Sequence, residues 1–231
     1  MKKINDVNLI DSYIKKFGIV KIFEQEILKS LELFEFCQGE LIYAPGEDIE
    51  YFYFLVKGKL KILFNLSNGR RLLLRFSNPF SIIGDVEVPG KLKVKTEISP
   101  VDNAHLLALP KNLMREKCLD NPKFLNFLVE NLSYKLYTTS NSMALNLSYP
   151  LKARFASYLI SISSDEFMKR RVEEIRSTKL TEISEILGCS YRQLSRVIKK
   201  LKEEKIISFE DKKIIIEDFE KLKNISGELY E

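Results

Sequence analysis

The sequence predicts an α+β protein in which a β-rich segment lies between two helical ones. Residues 33–109 form short runs rich in Val, Ile, Leu, Phe and Tyr, broken by turn-forming pairs such as Asn68-Gly69. Asn-Gly between two apolar runs is a strong β-hairpin signal, and many short strands at this spacing favour a sandwich or barrel. Before residue 30 and after residue 111, apolar side chains instead recur at helical spacing.

The composition is that of a globular protein with a substantial core. Of the 231 residues, 45% are hydrophobic and 30% are charged. The longest apolar runs are a handful of residues, whereas a membrane-spanning helix needs about 20. The N-terminal segment is charged and lacks the apolar block of a signal peptide. We therefore expect a cytoplasmic protein without a membrane partner.

The N-terminal segment from about residue 5 to residue 30 has a helical pattern, in which Ile10, Ile14 and Phe17 share one face. A second helix of about 25 residues is predicted from near Asn121-Pro122, because Asn is a favourable cap and Pro a favourable first residue. Its apolar stripe is formed by Phe124, Leu128, Leu132, Leu136, Thr139 and Met143. One interpretation is a dimer seam resembling a coiled coil, and the other is a helix lying along the β domain.

Tyr149-Pro150 interrupts the long helix, because proline is poorly tolerated inside one. A new helical pattern begins directly after it. This predicts three parts: residues 1–120 with the N-terminal helices and the β segment, residues 121–148 with the long helix, and residues 149–231 with the remaining helices.

The most specific segment is residues 180–218. Leu180, Ile183 and Leu187 predict a short amphipathic helix, Gly188 a turn where positive φ costs little, and Ser190 the cap of a second helix. Two helices joined by such a turn form a helix-turn-helix. The apolar runs 206–209 and 213–216 then predict a small hairpin, the wing of a winged helix.

The second helix of this motif carries a cationic face. Between residues 190 and 202 there are five basic residues and no acidic one. Arginine pairs with guanine in the major groove, whereas lysine and serine suit phosphates. The predicted DNA-binding residues are Ser190, Tyr191, Arg192, Gln193, Ser195, Arg196, Lys199 and Lys200. The alternative interpretation is a solvated basic face in a winged helix that binds protein.

Enzyme chemistry has little support in this sequence. The chain has one histidine, His105, so a cupin-like metal site with several imidazoles is excluded. Cys37, Cys118 and Cys189 are widely separated and form neither a CxxC pair nor a disulfide framework. We expect a non-enzyme without a metal site, and reduced thiols that are small buried residues.

With these motifs the chain resembles the CRP/FNR family of bacterial transcription regulators, over about residues 30–222. The resemblance rests on the segment LTEISEILGCSYRQLSRVIKKL, on the wing KIISFEDKKIIIED, and on Pro45-Gly46, Val56-Lys57-Gly58 and Ile83-Gly84-Asp85 in the β region. The stretch NPFSIIGDVE and the Leu-Gly-Cys-Ser-Tyr-Arg turn are most similar to the YeiL-like branch.

The resemblance implies a cyclic-nucleotide-binding-like β-roll (a jelly roll), a long dimerisation helix and a C-terminal winged helix-turn-helix. It further implies a homodimer, an inverted-repeat operator in double-stranded DNA and a contact with RNA polymerase. The expected function is sequence-specific transcription regulation. The alternative is a cyclic-nucleotide-binding regulatory module that acts on a protein partner.

The effector implied by the resemblance is left open. The family's ribose-binding Gly-Glu pair is matched by Gly84-Asp85, and its phosphate-binding Arg-Ser/Thr pair by Lys95-Thr96. Asp is shorter than Glu, and Lys lacks the planar fork of Arg. Thr139 and Ser140 fall where cyclic-AMP binders present a Thr-Ser pair. Cyclic nucleotide, another ligand and no ligand all stay open, whereas an iron–sulfur cluster and haem are not expected.

Overall fold

The computed structural model describes residues 1–67, 71–163, 171–172, 177–210 and 213–227. Packing divides the chain into two compact units. The first, the sensor unit, contains residues 1–62 and 77–139, and the second, the C-terminal unit, contains residues 63–76 and 140–231. The functional division of the chain near residues 120 and 148 stays a prediction.

The sensor unit begins with a short strand that the sequence pattern did not reveal. Strand β1 (Lys2–Ile4) pairs antiparallel with β2, although its side chains are mostly exposed. The predicted N-terminal helix is divided into α1 (Val7–Lys16), a 3₁₀ turn (Ile19–Lys21) and α2 (Gln25–Lys29). The division falls at Gly18, which has a φ of 65°.

The predicted β segment is confirmed: its described residues form seven strands, β2 to β8. They are β2 (Glu32–Phe36), β3 (Tyr51–Lys57), β4 (Leu60–Asn65), β5 (Arg71–Ser77), β6 (Ile82–Ile83), β7 (Thr96–Pro100) and β8 (Ala104–Pro110). One sheet has the order β1-β2-β8-β3-β6, and a second has the order β5-β4-β7. The turn predicted at Asn68-Gly69 falls between β4 and β5, on residues outside the described ones.

The core of the sensor unit contains a cluster of aromatic rings among its aliphatic side chains. Phe52 and Phe54 on β3 are fully buried and pack edge-on at 5.3 Å between ring centroids. Phe124 from the long helix meets Phe23 at 5.3 Å and Phe52 at 5.8 Å. The tight turn after β3 requires Gly58, because a Cβ there would lie 2.6 Å from the carbonyl oxygen of Asn103.

Short helices α3 (Glu87–Gly90) and α4 (Lys111–Lys117) precede the long helix α5 (Pro122–Ser148). The prediction of α5 is confirmed, including its start. The Asn121 side chain accepts hydrogen bonds from the amides of Lys123 at 2.9 Å and Phe124 at 3.3 Å. After Tyr149-Pro150 a new helix, α6 (Leu151–Ile162), begins as expected.

The C-terminal unit contains α6, β9 (Arg171–Val172), α7 (Ser177–Ile186), α8 (Tyr191–Glu203), β10 (Ile207–Glu210), β11 (Lys213–Ile216) and α9 (Phe219–Ser226). Strands β10 and β11 form the predicted hairpin, and β9 adds a third strand beside β11. The core of this unit includes Phe155, Leu159 and Leu194, together with Leu63 and Leu73 of the β4–β5 hairpin. Among the described helices, none combines the length and apolar character that a bilayer crossing requires.

Candidate functional site

The turn between α7 and α8 is tightly built. Gly188 adopts a φ of 61°, and the amide of Cys189 donates to the carbonyl of Ser184 at 2.8 Å. Ser184 is buried, and its hydroxyl is satisfied by the carbonyl of Thr181 at 2.7 Å. A small, internally bonded side chain at this position lets α8 pack closely on α7.

Arg154 of α6 supports the same turn, and sequence reasoning missed this residue. Its guanidinium Nη1 donates to the carbonyl of Leu187, the residue directly before Gly188. Its Nε is buried without a hydrogen-bond partner among the described residues. The available signal was a single arginine between Ala153 and Phe155, both of which are buried. Arg154 thus anchors the helix-turn-helix from behind.

A reciprocal capping box starts α8. The hydroxyl of Ser190 accepts the amide of Gln193 at 3.2 Å, and the Gln193 side chain accepts the amide of Ser190 at 2.9 Å. The Ser190 hydroxyl also donates to Gln193 Oε1 at 3.0 Å. Two amides of the first turn are thereby satisfied. Both side chains help to form the helix start and both residues are exposed; their contact with DNA stays a prediction.

The remaining side chains of α8 divide by burial. Leu194, Ile198 and Leu201 are buried, and each is spaced three or four residues from the next. The residues exposed on α8 include Tyr191, Arg192, Arg196, Lys199 and Lys200. Ser195 is half-buried at the edge of this surface. We call these five exposed side chains the α8 face.

Within the part of the chain that the structure describes, one acidic side chain lies within ion-pairing distance of the α8 face. Lys199 lies 3.8 Å from Glu203, and both side chains are largely exposed, so the attraction is screened by water. Glu204 is instead held by Lys152 of α6 at 2.6 Å, which lowers the pKa of its carboxyl through a hydrogen bond and charge. The face therefore keeps its cationic character.

The two strands of the wing follow α8 in the chain and pair in regular register. Strands β10 and β11 pair from Ile207 with Ile216 to Glu210 with Lys213, and residues 211–212 lie outside the described residues. Lys202 of α8 lies over the Phe209 ring at 6.0 Å from its centroid. This contact associates the last turn of α8 with the wing.

The predicted dimer seam is only partly exposed. Phe124 and Leu128 are buried within the protomer, so the prediction that they form a seam is corrected. Leu132 is half-buried and Leu136 is exposed. Thr139 is half-buried, and Met143 lies outside the residues whose side chains are described. The exposed apolar side chains that continue the seam toward the helix start are Leu125 and Val129.

The predicted effector residues lie on several elements of the chain and differ in exposure. Gly84 has a φ of 93° and precedes Asp85, which is buried and paired with Lys135 at 2.6 Å. Lys95 is exposed, whereas Thr96 and Thr139 are half-buried. Ser140 is exposed and belongs to the C-terminal unit. Lys135 had not been predicted as part of this site.

The cysteines and the histidine also have separate environments. Cys118 is buried, which raises the pKa of its thiol to about 11, but Cys37 is exposed and Cys189 is half-buried. The prediction that all three are buried is therefore confirmed for Cys118, wrong for Cys37 and only partly right for the half-buried Cys189. His105 bonds through Nδ1 to the Tyr13 hydroxyl at 3.0 Å, in agreement with a structural histidine. Burial lowers the pKa of its imidazole.

Comparisons with known proteins agree with both halves of the chain. Residues 33–121 match the cyclic nucleotide-binding domain, and residues 153–225 match the Crp-like helix-turn-helix domain. The regulatory protein YeiL of Escherichia coli O157:H7 is 26% identical over 90% of this chain and 91% of its own. A CRP-like cAMP-activated global transcriptional regulator of Mycobacterium tuberculosis is 23% identical over 92% of this chain and 98% of its own.

Solved structures share the fold. A putative regulator of the crp/fnr family from Eubacterium rectale superposes with a TM-score of 0.73 at 16% identity, covering 94% of this chain and 99% of that one. A CRP/FNR-family regulator from Thermus thermophilus gives 0.69 at 22% identity, covering 85% and 98%. The sensor fold, the helix-turn-helix and the relatives together place this chain in the CRP/FNR family of DNA-binding transcription regulators, with similarity to YeiL.

Proposed function

We propose that the protein is a dimeric regulator that reads an inverted-repeat operator with the α8 face of each protomer. The observation that carries this proposal is the division of α8 into a buried apolar side and an exposed cationic side. Leu194 and Leu201 anchor the helix in the core, while Arg192, Arg196 and Lys199 are exposed together on the opposite side. A helix of this kind fits the width of the B-DNA major groove.

Residues near the start of the recognition helix are assigned to base reading. Tyr191 and Arg192 occupy its first turn, and Arg196 follows one turn later. The N-terminal part of a recognition helix reaches base edges, and an arginine can hold guanine O6 and N7 together. Lys199 and Lys200 are assigned to phosphates, which provide affinity without sequence information. Ser190 and Gln193 form the capping box that sets the start of the helix, and their contacts with DNA and that of Ser195 stay part of this proposal.

The dimer contact is assigned to the exposed apolar stripe of α5. Leu125, Val129, Leu132 and Leu136 are spaced by four, three and four residues, which is the a/d spacing of a coiled coil. A symmetric dimer would present two copies of the α8 face related by a two-fold axis. An operator read by such a pair is an inverted repeat with half-sites about one helical turn apart.

The decisive experiment is selection of binding sites from a random duplex pool by the purified protein at about 0.15 M salt, since affinity for DNA depends on salt. We expect an inverted repeat to be enriched. Arg192→Ala and Arg196→Ala should each relax the preference at one base pair per half-site, by about 1–3 kcal/mol. Lys221→Gln is the matched control, because Lys221 is an exposed lysine on α9 that is paired with Asp218.

Two results would contradict the proposal. One is an enriched sequence that the arginine variants bind as the parent does. The other is no enrichment for any sequence in the presence or absence of cell extract, which would favour the alternative of a winged helix that binds a protein partner. Contact with RNA polymerase is a further expectation of the family resemblance, and a transcription assay on the selected site tests it.

A further inference from the structure

The side of α5 that packs against the rest of the sensor unit contains a lysine at a position where the spacing of its buried residues predicts an apolar one. Phe124 and Leu128 of α5 are buried. Seven residues after Leu128, on the same side of the helix, is Lys135, whose side chain is only 11% exposed. A lysine buried to this extent requires compensation, because desolvation of an ammonium group is costly.

The groups that compensate for the buried ammonium lie near the start of α3 in the sensor unit. The Nζ atom of Lys135 lies 2.6 Å from Oδ2 of Asp85 and 2.6 Å from the carbonyl oxygen of Ile82. Asp85 is itself only 4% exposed. Ile82 belongs to β6, and Asp85 follows Gly84 in the segment that joins β6 to α3. Glu87 on α3 is also near: burial raises the pKa of its carboxyl, and the charge of Lys135 opposes that rise.

We propose that Lys135 is a built-in ligand of the β-roll. Its ammonium group occupies the Asp85 carboxylate and ties α5 to the β6–α3 turn, so that the chain itself sets the position of the long helix. Because the carboxylate is sequestered in this way, a cyclic nucleotide cannot use it. This proposal concerns the sensor unit alone and does not depend on DNA binding.

The pair makes a distinctive prediction about single and double substitutions. Removing one charge leaves the other buried without a partner, which is strongly destabilising, whereas removing both is often nearly neutral. Lys135→Met and Asp85→Asn should therefore each loosen α5 where it meets the turn. The double variant Asp85→Asn/Lys135→Met should lie closer to the parent than either single variant does.

Hydrogen exchange of the full-length protein measures this loosening directly. In each single variant we expect the backbone amides of residues 128–139 to exchange at least about tenfold faster than in the parent. Lys123→Met is the matched control, since Lys123 is an exposed lysine of the same helix, and its exchange should equal that of the parent. In parallel, calorimetric titration of the parent with cyclic AMP and cyclic GMP to about 1 mM should show no binding.

Several outcomes would overturn the proposal. Exchange in Lys135→Met that equals the parent's would mean that the pair does not hold α5. Additive effects in the double variant, or an equal effect of Lys123→Met, would mean that the two charges do not act as a pair. Cyclic nucleotide binding by the parent with a Kd below about 100 µM would show that Asp85 is accessible to ligand.

Discussion

Leu136 provides a quantitative test of the dimer contact assigned to α5. Replacing Leu136 with alanine removes three carbon groups, each contributing about 0.8 kcal/mol when buried. The residue is 70% exposed in the protomer, so about 70% of that gain, roughly 1.7 kcal/mol, becomes available on association. A symmetric dimer contains two copies of Leu136, so the substitution should cost about 3 kcal/mol of association free energy. The dimer dissociation constant should therefore rise more than 100-fold.

Sedimentation equilibrium over a wide concentration range measures this change. Tyr137→Ala is the matched control, because Tyr137 is 68% exposed on α5 but lies about 100° around the helix from Leu136. It should dimerise as the parent does. Leu128→Ala gives the opposite contrast: Leu128 is buried within the protomer, so its loss should lower the free energy of unfolding by about 2–5 kcal/mol. Equal shifts for Leu136→Ala and Tyr137→Ala, or none, would refute the assigned stripe.

Three further predictions concern the helix-turn-helix and the thiols. Lys199→Ala should weaken binding to all duplexes alike and reduce the slope of log affinity against log salt by about two per dimer, whereas Arg192→Ala should mainly change base preference. Filter binding over a salt series distinguishes the two variants. Equal slopes for Lys199→Ala and the parent would contradict the assignment of Lys199 to phosphate. Ser190→Ala removes the capping hydroxyl and should lower the free energy of unfolding, measured by urea titration, by about 1 kcal/mol. An unchanged free energy of unfolding would contradict the role of the cap. Exposed Cys37 should react with a thiol reagent in the native protein, whereas Cys118, which is buried and has a pKa of about 11, should react only on unfolding. Peptide mass spectrometry identifies the modified thiol. Modification of Cys118 in the native protein would contradict this prediction.

Helix starts and tight turns were predictable, because a few adjacent residues determine them. The start of α5 follows from Asn121-Pro122, and the α7–α8 turn follows from Gly188 and Ser190, because caps and positive φ are properties of a few adjacent residues. Strand β1 escaped prediction for the converse reason. Its side chains are mostly exposed, so no apolar alternation marks it, and it exists through pairing with β2.

The dimer seam illustrates an error of geometry. Four-residue steps connect Phe124, Leu128, Leu132 and Leu136 in sequence, but each step turns the helix by about 400° and so moves the side chain about 40° around the axis. Three steps add up to about 120°. The stripe therefore begins on the buried face at Phe124 and ends on the exposed face at Leu136. A stripe that alternates steps of four and three residues stays on one side, and Leu125 begins it.

The sensor site depends on information that no local pattern contains. Asp85 and Lys135 are 50 residues apart in the sequence, and a lysine in a helix with many polar residues reads as a solvated side chain. Its burial emerges only when α5 packs on the β-roll. The recognition helix behaves differently, because its apolar and basic residues alternate within thirteen residues and so define both faces locally. The α8 face was consequently open to prediction from sequence, whereas the Asp85–Lys135 ion pair joins two residues that no local pattern connects.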